Sequence, residues 1–206
     1  RLAFRSVAPG AQAISCLPDI ITESIKSLPI PKRMRWGAGR TEFVRPVHWL
    51  LMLLGDEVVD CELLGCRSGN TTRGHRFHSS GELPVRHASE YEACLLQQRV
   101  VASFAGRRDI IRAQVEAEAA KLDATAIIAE DLLDEVTGLV EWPVALTGSF
   151  EKRFLDIPAE ALVSSMKEHQ KYFHLVDAAG ALLPNFITVA NIESTDPAQV
   201  IDGNER

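Results

Sequence analysis

Tyr172-Phe173-His174-Leu175-Val176-Asp177-Ala178-Ala179-Gly180-Ala181-Leu182-Leu183-Pro184-Asn185-Phe186-Ile187-Thr188-Val189-Ala190 reads as two strands and a turn. Aromatic and β-branched residues suit a pleated surface, and Asp177 to Gly180 is turn chemistry. The segment predicts a hairpin from Tyr172–Val176 and Leu182–Ala190, and a hairpin commits the sheet to antiparallel pairing. Working backwards, Pro158 opens a predicted helix through Ala161, Leu162, Ser165 and Met166. Val144 to Leu146 reads as a strand after Trp142-Pro143.

Two helices precede these strands. Ile111, Val115, Ala119 and Leu122 line one face of the first; Ile128, Leu132, Val136, Leu139 and Val140 line one face of the second. Glu90 to Gln97 predicts a shorter helix and Leu83 to Arg86 a short strand. Val47 to Leu54, apolar on both faces, predicts a central strand that turns at Gly55-Asp56. In the returning strand Val59, Cys61 and Leu63 alternate with Val58, Asp60 and Glu62. Ile14, Leu17, Ile21, Ile25 and Leu28 mark one buried stripe of a helix from Ala11 to Leu28, ended by Pro29 and Pro31. Leu2 to Val7 reads as the end of a strand, and Ala8-Pro9-Gly10 as a break. Strands and helices come in mixed order without regular βαβ units, so the expected class is α+β, a mixed, mainly antiparallel sheet with packed helices.

The 206 residues are 46% hydrophobic and 24% charged, with net charge -6 and an isoelectric point near 5.5. A generally basic nucleic-acid coat protein is excluded; an acidic protein with one basic face is not. Cys16, Cys61, Cys66 and Cys94 form no CxxC pair and fit reduced thiols of a cytoplasmic protein. No apolar run reaches the roughly 20 residues of a membrane-spanning helix. The start at Arg1 without methionine, and the end at Arg206, suggest a piece of a longer protein.

Against this acidic background three segments are basic. Pro31 to Arg45 holds Lys32, Arg33, Arg35, Arg40 and Arg45 against Glu42 alone and reads as a loop. Thr72-Arg73-Gly74-His75-Arg76-Phe77-His78 follows, and then Lys167 to Lys171 beside Tyr172 and Phe173. Arginine presents a fork of donors that fits phosphate, and Gly74 lets the backbone come close to a bound group. Phe77 is placed either to stack on a base or to anchor the loop. Residues 109–135 carry eight acids against Arg112 and Lys121, a solvated face or one that repels nucleic acid.

Other chemistry is weaker. Cys61, Cys66, His75 and His78 have the ligand types for zinc, but the spacing departs from structural sites and Cys61 falls on a buried face. Ser165 and His169 share a helical face at i and i+4, with no orienting acid in the sequence. Asp131, Asp134 and Glu135 read as solvated helix charge rather than a magnesium site.

Seven ordered motifs then point one way. They are Lys32–Gly37, Phe43-Val44-Arg45-Pro46-Val47-His48-Trp49, Arg73–Phe77, Leu139–Val144, His169–Phe173, Asn185–Ile192 and Gly203–Arg206. Over nearly its whole length the chain resembles the beta subunit of the bacterial heterotetrameric glycyl-tRNA synthetase. In that family the alpha subunit activates glycine with ATP and magnesium, and the beta subunit is needed for tRNA binding and charging. The resemblance therefore implies tRNA(Gly) and an alpha subunit as partners in an alpha2-beta2 heterotetramer. It also implies that these residues hold no adenylation site, catalytic residue, cofactor or metal. It makes 1–206 an internal region, with a sub-boundary near 148–158 and the anticodon-binding part further along. The architecture is expected to be similar to the editing-type domain of the phenylalanyl-tRNA synthetase beta chain. On this footing Arg33, Arg35, Arg73, Arg76, Lys167 and Lys171 are candidate phosphate contacts, with His75 and His169 as polar or stacking partners. Two alternatives stay open: hydrolytic editing near Ser164, Ser165 or His169, and a purely structural module at a subunit interface.

Overall fold

A computed structural model describes Ala3, Phe4 and Gly10–Glu205. The strand expected over Leu2–Val7 lies outside the described residues, apart from Ala3 and Phe4. Among the described residues, six α-helices and several small, mostly antiparallel sheets confirm the α+β class. Among the described residues no helix is long and apolar enough to cross a membrane. The chain divides into two compact units, residues 1–73 with 81–94, and residues 74–80 with 95–206.

The first unit begins with α1 (Ala13–Ser27). Its stripe of Ile14, Leu17, Ile21 and Ile25 is only half-buried, and Leu28 is exposed, so the expected buried face is a partly covered one. The basic segment expected as loop contains a small hairpin, β1 (Met34–Arg35) with β2 (Glu42–Phe43). The cross-strand pair Arg35–Glu42, 2.6 Å apart, ties its two arms.

The expected central strand is instead two short ones, β3 (Leu50–Leu51) and β4 (Leu53–Leu54). Met52 between them donates its N–H to Gly69 O at 3.1 Å and accepts from Val59 N at 3.0 Å, so the pairing partner changes there. Trp49 and Leu54 are exposed, which is why uniform apolarity misled: this strand is not covered on both faces. β4 turns back to β5 (Glu57–Val58) through Gly55, whose φ of +67° suits the first position of a tight hairpin turn. Then come β6 (Glu62–Leu63) and β7 (Cys66–Gly69), joined by Leu64 and Gly65, both at positive φ. β7 pairs antiparallel with β6 and parallel with β3. The alternation read from Val58 to Leu63 holds, with Val59 fully buried and Asp60 and Glu62 exposed. β8 (Thr71–Thr72) and β9 (Leu83–Pro84) pair across the intervening residues, and α2 (Tyr91–Gln97) follows.

The second unit is built on α3 (Phe104–Ala120), β10 (Thr125–Ala126), α4 (Glu130–Leu139) and β11 (Val144–Ser149). It continues with α5 (Ala159–Ser164), a wider turn over Ser165–Gln170, β12 (Phe173–Val176), β13 (Leu182–Ala190) and α6 (Pro197–Glu205). The opening hairpin is present as β12 and β13. Asp177 Oδ1 accepts from the N–H groups of Ala179 and Ala181, and Gly180 takes φ +82°. The sheet order is β10-β12-β13-β11, antiparallel throughout.

Successive residues of a strand face opposite ways, and here both faces are covered. Ile187 joins Phe173, Leu175, Ile111, Val115, Leu133 and Val136 in the main core. Its neighbour Phe186 joins Met166 and Tyr172 on the other side. The predicted stripes of α3 and α4 form that main core, except that Leu122 and Leu139 are exposed and Leu133 is buried instead. Leu122 and Leu139 lie at or beyond the helix ends, where the face turns outward.

The acidic segment is not simply solvated. Glu130 and Asp134, on one flank of α4, meet Arg108, and Glu130 also meets Arg112. Asp131 and Glu135, on the other flank, meet Lys167 at 2.7 Å and Lys171 at 2.9 Å. Hydrogen bonds from Arg112 and Arg108 hold the Glu130 carboxyl below its ordinary range, and one from Lys167 does the same to Asp131. Each pair is exposed enough to be individually weak.

Gly148 is opposite Phe186 in the register, and a Cβ there would fall inside the Phe186 ring. That ring is stacked on Tyr172 at 4.3 Å with 9° between planes and has little room to move. Gly148→Ala is therefore expected to lower stability by about 1–3 kcal/mol, the usual cost of overpacking, read as a drop in thermal midpoint. Burial pushes the His174 imidazole below its ordinary 6.5. Between the two values the unfolded chain binds more protons, so stability should fall as pH is lowered through about 6.5. Thermal midpoints taken on both sides of that pH should show the fall, and His174→Gln should flatten it.

Candidate nucleic-acid interface

Residues 74–80 form a tight turn around His75. His75 N donates to Gln98 O at 2.9 Å, and His75 O accepts from Ser79 N at 2.9 Å and His78 N at 3.2 Å. Ser79 Oγ donates to Gln98 Oε1 at 2.7 Å. A Cβ on Gly74 would lie 2.5 Å from the Gln98 Cβ and 2.7 Å from Ser79 Oγ. Gly74 thus serves close approach within the fold, not to a bound group as its sequence context suggested.

The imidazole of His75 is 1% exposed. Its Nδ1 accepts from Phe77 N at 3.3 Å, which leaves the hydrogen on Nε2 to be donated to Asn191 O at 2.8 Å. Both ring nitrogens are spent inside the fold, where His75 braces the turn. His78 stacks beside it, ring centroids 4.7 Å apart, and its Nε2 accepts from Glu193 N at 3.0 Å. Asn191 turns its Oδ1 the other way, accepting from Glu141 N at 2.7 Å and Trp142 N at 2.9 Å. Arg99, at φ +58°, bonds Glu193 at 2.8 Å and lies 5.0 Å from the Trp142 ring centroid. Three of the quoted motifs meet at Asn191.

With His75 inside, its two successors are outside. Phe77 is 68% exposed, and the Arg76 guanidinium lies 5.7 Å from its ring centroid. An exposed aromatic face next to an arginine has the chemistry to stack on a ring and to meet a phosphate. Arg73, in the first unit, is a second such pair. It lies 5.7 Å from the ring centroid of exposed Trp49 and 3.8 Å from Glu82. Trp49 Nε1 is held by the buried Thr72 Oγ1 at 3.2 Å, which fixes the indole.

The remaining candidates are differently placed. Arg33 is exposed and among the described residues bonds the Lys26 carbonyl alone, at 3.5 Å. Arg35 is engaged by Glu42, and Lys167 and Lys171 by Asp131 and Glu135. His169 and Ser165 are exposed on the wide turn after α5, and no hydrogen bond joins them among the described residues. Cys61 Sγ lies 3.5 Å from Met52 Sδ and Cys66 Sγ 3.6 Å from Val47 O. Among the described residues no group of three or more His, Cys, Asp or Glu is placed to hold a metal ion. Gln98, Arg99 and Asn191 were not singled out from sequence as parts of this site, because their roles arise from backbone placement that no local pattern announces.

The sequence pattern of one protein family, described as the glycyl-tRNA synthetase beta subunit, matches residues 1–206. The chain belongs to this family. Among relatives, a glycine–tRNA ligase beta subunit of Hahella chejuensis is 58% identical over 206 residues. One of Chromohalobacter salexigens is 58% identical over 205 residues, and one of Ectopseudomonas mendocina 55% over 206. Each alignment takes in 100% of this chain, which spans about 30% of the relatives' own length. The match to the glycyl-tRNA synthetase beta subunit family thus covers every element described above.

Asn191 gives the site its test. Asn191→Ala removes an acceptor from two backbone N–H groups, on exposed Glu141 and half-buried Trp142, and each lost hydrogen bond costs about 0.5–1.5 kcal/mol. The thermal midpoint should fall by several degrees, and amide exchange at residues 141 and 142 should accelerate.

Proposed function

We propose that this chain forms part of the beta subunit of a glycine–tRNA ligase, which joins glycine to tRNA(Gly) using ATP, and that this region helps to hold the tRNA. The observation that carries it is the turn at 74–80, whose buried His75 presents exposed Arg76 and Phe77 as a pair. A soluble protein gains nothing in stability from a mostly exposed phenylalanine, whereas a flexible RNA gains a ring on which to stack. Arg73 against Trp49, and Arg33, add further cationic contacts. Lys167 and Lys171 spend their charge on α4 and contribute less.

Within this proposal, ATP with magnesium acts at an alpha subunit, the partner in an alpha2-beta2 assembly. That centre and the anticodon-binding part lie outside these residues, in keeping with their 30% share of the relatives' length. The antiparallel sheet with helices packed against it supports an architecture similar to the editing-type domain of the phenylalanyl-tRNA synthetase beta chain. A secondary division near 148–158 is supported by the run of exposed residues from 151 to 160.

The test is tRNA(Gly) binding and charging by the complete enzyme. Arg76→Ala and Arg73→Ala should each weaken binding and lower the slope of log affinity against log salt by about one. Phe77→Ala should cost about 1–3 kcal/mol, the worth of one stacked base. Glycine activation should be unchanged in all three. Unaltered tRNA affinity and charging across the set would remove this region from RNA binding and leave a structural role.

A further inference from the structure

The second unit contains a half-open cavity of about 270 Å³. Its floor is the Tyr172–Phe186 stack together with Met166, all three buried. Phe154, 39% exposed, lines its wall. Ser165 and Gln170 supply polar groups, and among the described residues neither side chain makes a hydrogen bond. By contrast, Asn204 is committed: its Oδ1 accepts from the Tyr172 hydroxyl at 2.8 Å and its Nδ2 donates to Val200 O at 2.6 Å. The lining carboxylate of Glu205 is likewise engaged, by Ser149 N at 2.7 Å and Ser149 Oγ at 2.9 Å. Lys152, which makes no ion pair among the described residues, and Arg153 immediately precede Phe154; the Arg153 guanidinium lies 5.3 Å from the Phe154 ring centroid and is paired with Glu151 at 2.8 Å.

Resting on the RNA-binding reading above, we propose that this cavity accepts a single unstacked nucleobase. The ring of Phe154 is its stacking partner, Gln170 and Ser165 bond its edge, and Lys152 supplies the cation for the adjoining phosphate. Three features argue for this occupant. The volume falls short of the roughly 300–1,000 Å³ of sites for drug-sized ligands and suits one planar ring system. The uncommitted amide of Gln170 offers donors and an acceptor side by side, as a base edge requires. The unpaired cation of Lys152, two positions before the aromatic wall, matches a polyanion, and an apolar protein side chain has no use for it.

The experiment is fluorescence anisotropy of labelled single-stranded RNA homohexamers with the full-length protein that bears this chain. Phe154→Ala is expected to weaken binding about 5- to 150-fold, the span of one base–aromatic stack. Phe154→Leu, which keeps apolar bulk but no ring, should fall with it, and Phe154→Tyr should retain parent affinity. Gln170→Ala should change the order of preference among the homohexamers. Parent affinity in Phe154→Ala would overturn the assignment. So would a Phe154→Leu protein that binds like the parent, since a site filled by a protein side chain behaves that way. Loss in Arg76→Ala and Phe77→Ala but not in Phe154→Ala removes the cavity and keeps the turn. The reverse keeps the cavity, and no loss in any variant removes both.

Discussion

Asn191 holds together three stretches of chain that are far apart in sequence. Its backbone oxygen receives the His75 ring, and its side-chain oxygen receives two consecutive N–H groups at residues 141 and 142. Because those donors sit where α4 gives way to β11, the residue fixes how the helix layer enters the sheet. Because the acceptor for His75 lies just past the end of β13, the same residue sets the depth of the 74–80 turn. Arg76 and Phe77 are exposed as a consequence: with the imidazole inside, the next two side chains face water.

Charge is arranged with the same economy. Helix α4 has acids on two flanks, and each flank faces a pair of cations spaced by one helical turn. Arg108 and Arg112 stand on one side, Lys167 and Lys171 on the other. These contacts orient α3 and the turn after α5 around α4 more than they stabilise the fold, since exposed pairs contribute little. They also decide which cations keep a field that a distant polyanion can sense. A lysine with a carboxylate under 3 Å away is nearly silent beyond one Debye length, whereas among the described residues no carboxylate cancels Arg33 or Arg76 in this way.

Much of the second unit was legible in the sequence because its signals are periodic and long. The hairpin of β12 and β13, and the stripes Ile111–Val115–Ala119 and Leu132–Val136–Val140, follow from spacing alone. Failures concentrate in the first unit, where strands are two residues long and no period can develop. Val47 to Leu54 was read as one strand because apolarity does not record the change of partner at Met52. The site was half legible. Arg73, Arg76 and Phe77 announce themselves by type, but the engagement of the His75 ring depends on Asn191, 116 positions away, and the neutralisation of Lys167 and Lys171 on carboxylates 36 positions away. No window along the chain contains both halves of such a pair. The family resemblance supplied what local patterns could not, an expectation for RNA, without saying which cations would be spent elsewhere.

The division of the chain into units carries a topological consequence. Residues 74–80 belong with 95–206, yet their flanks, β8 and β9, are paired with each other in the first unit. The backbone therefore passes between units three times, after Arg73, after Ser80 and after Cys94. Neither unit is one uninterrupted stretch of sequence, and no single proteolytic cut can leave both of them whole. Truncation at any one of these points would deprive the larger unit of its His75 turn or the smaller of its returning strand. Separating them would require a rewired chain, with β8 joined directly to β9 and the turn supplied on a new connection.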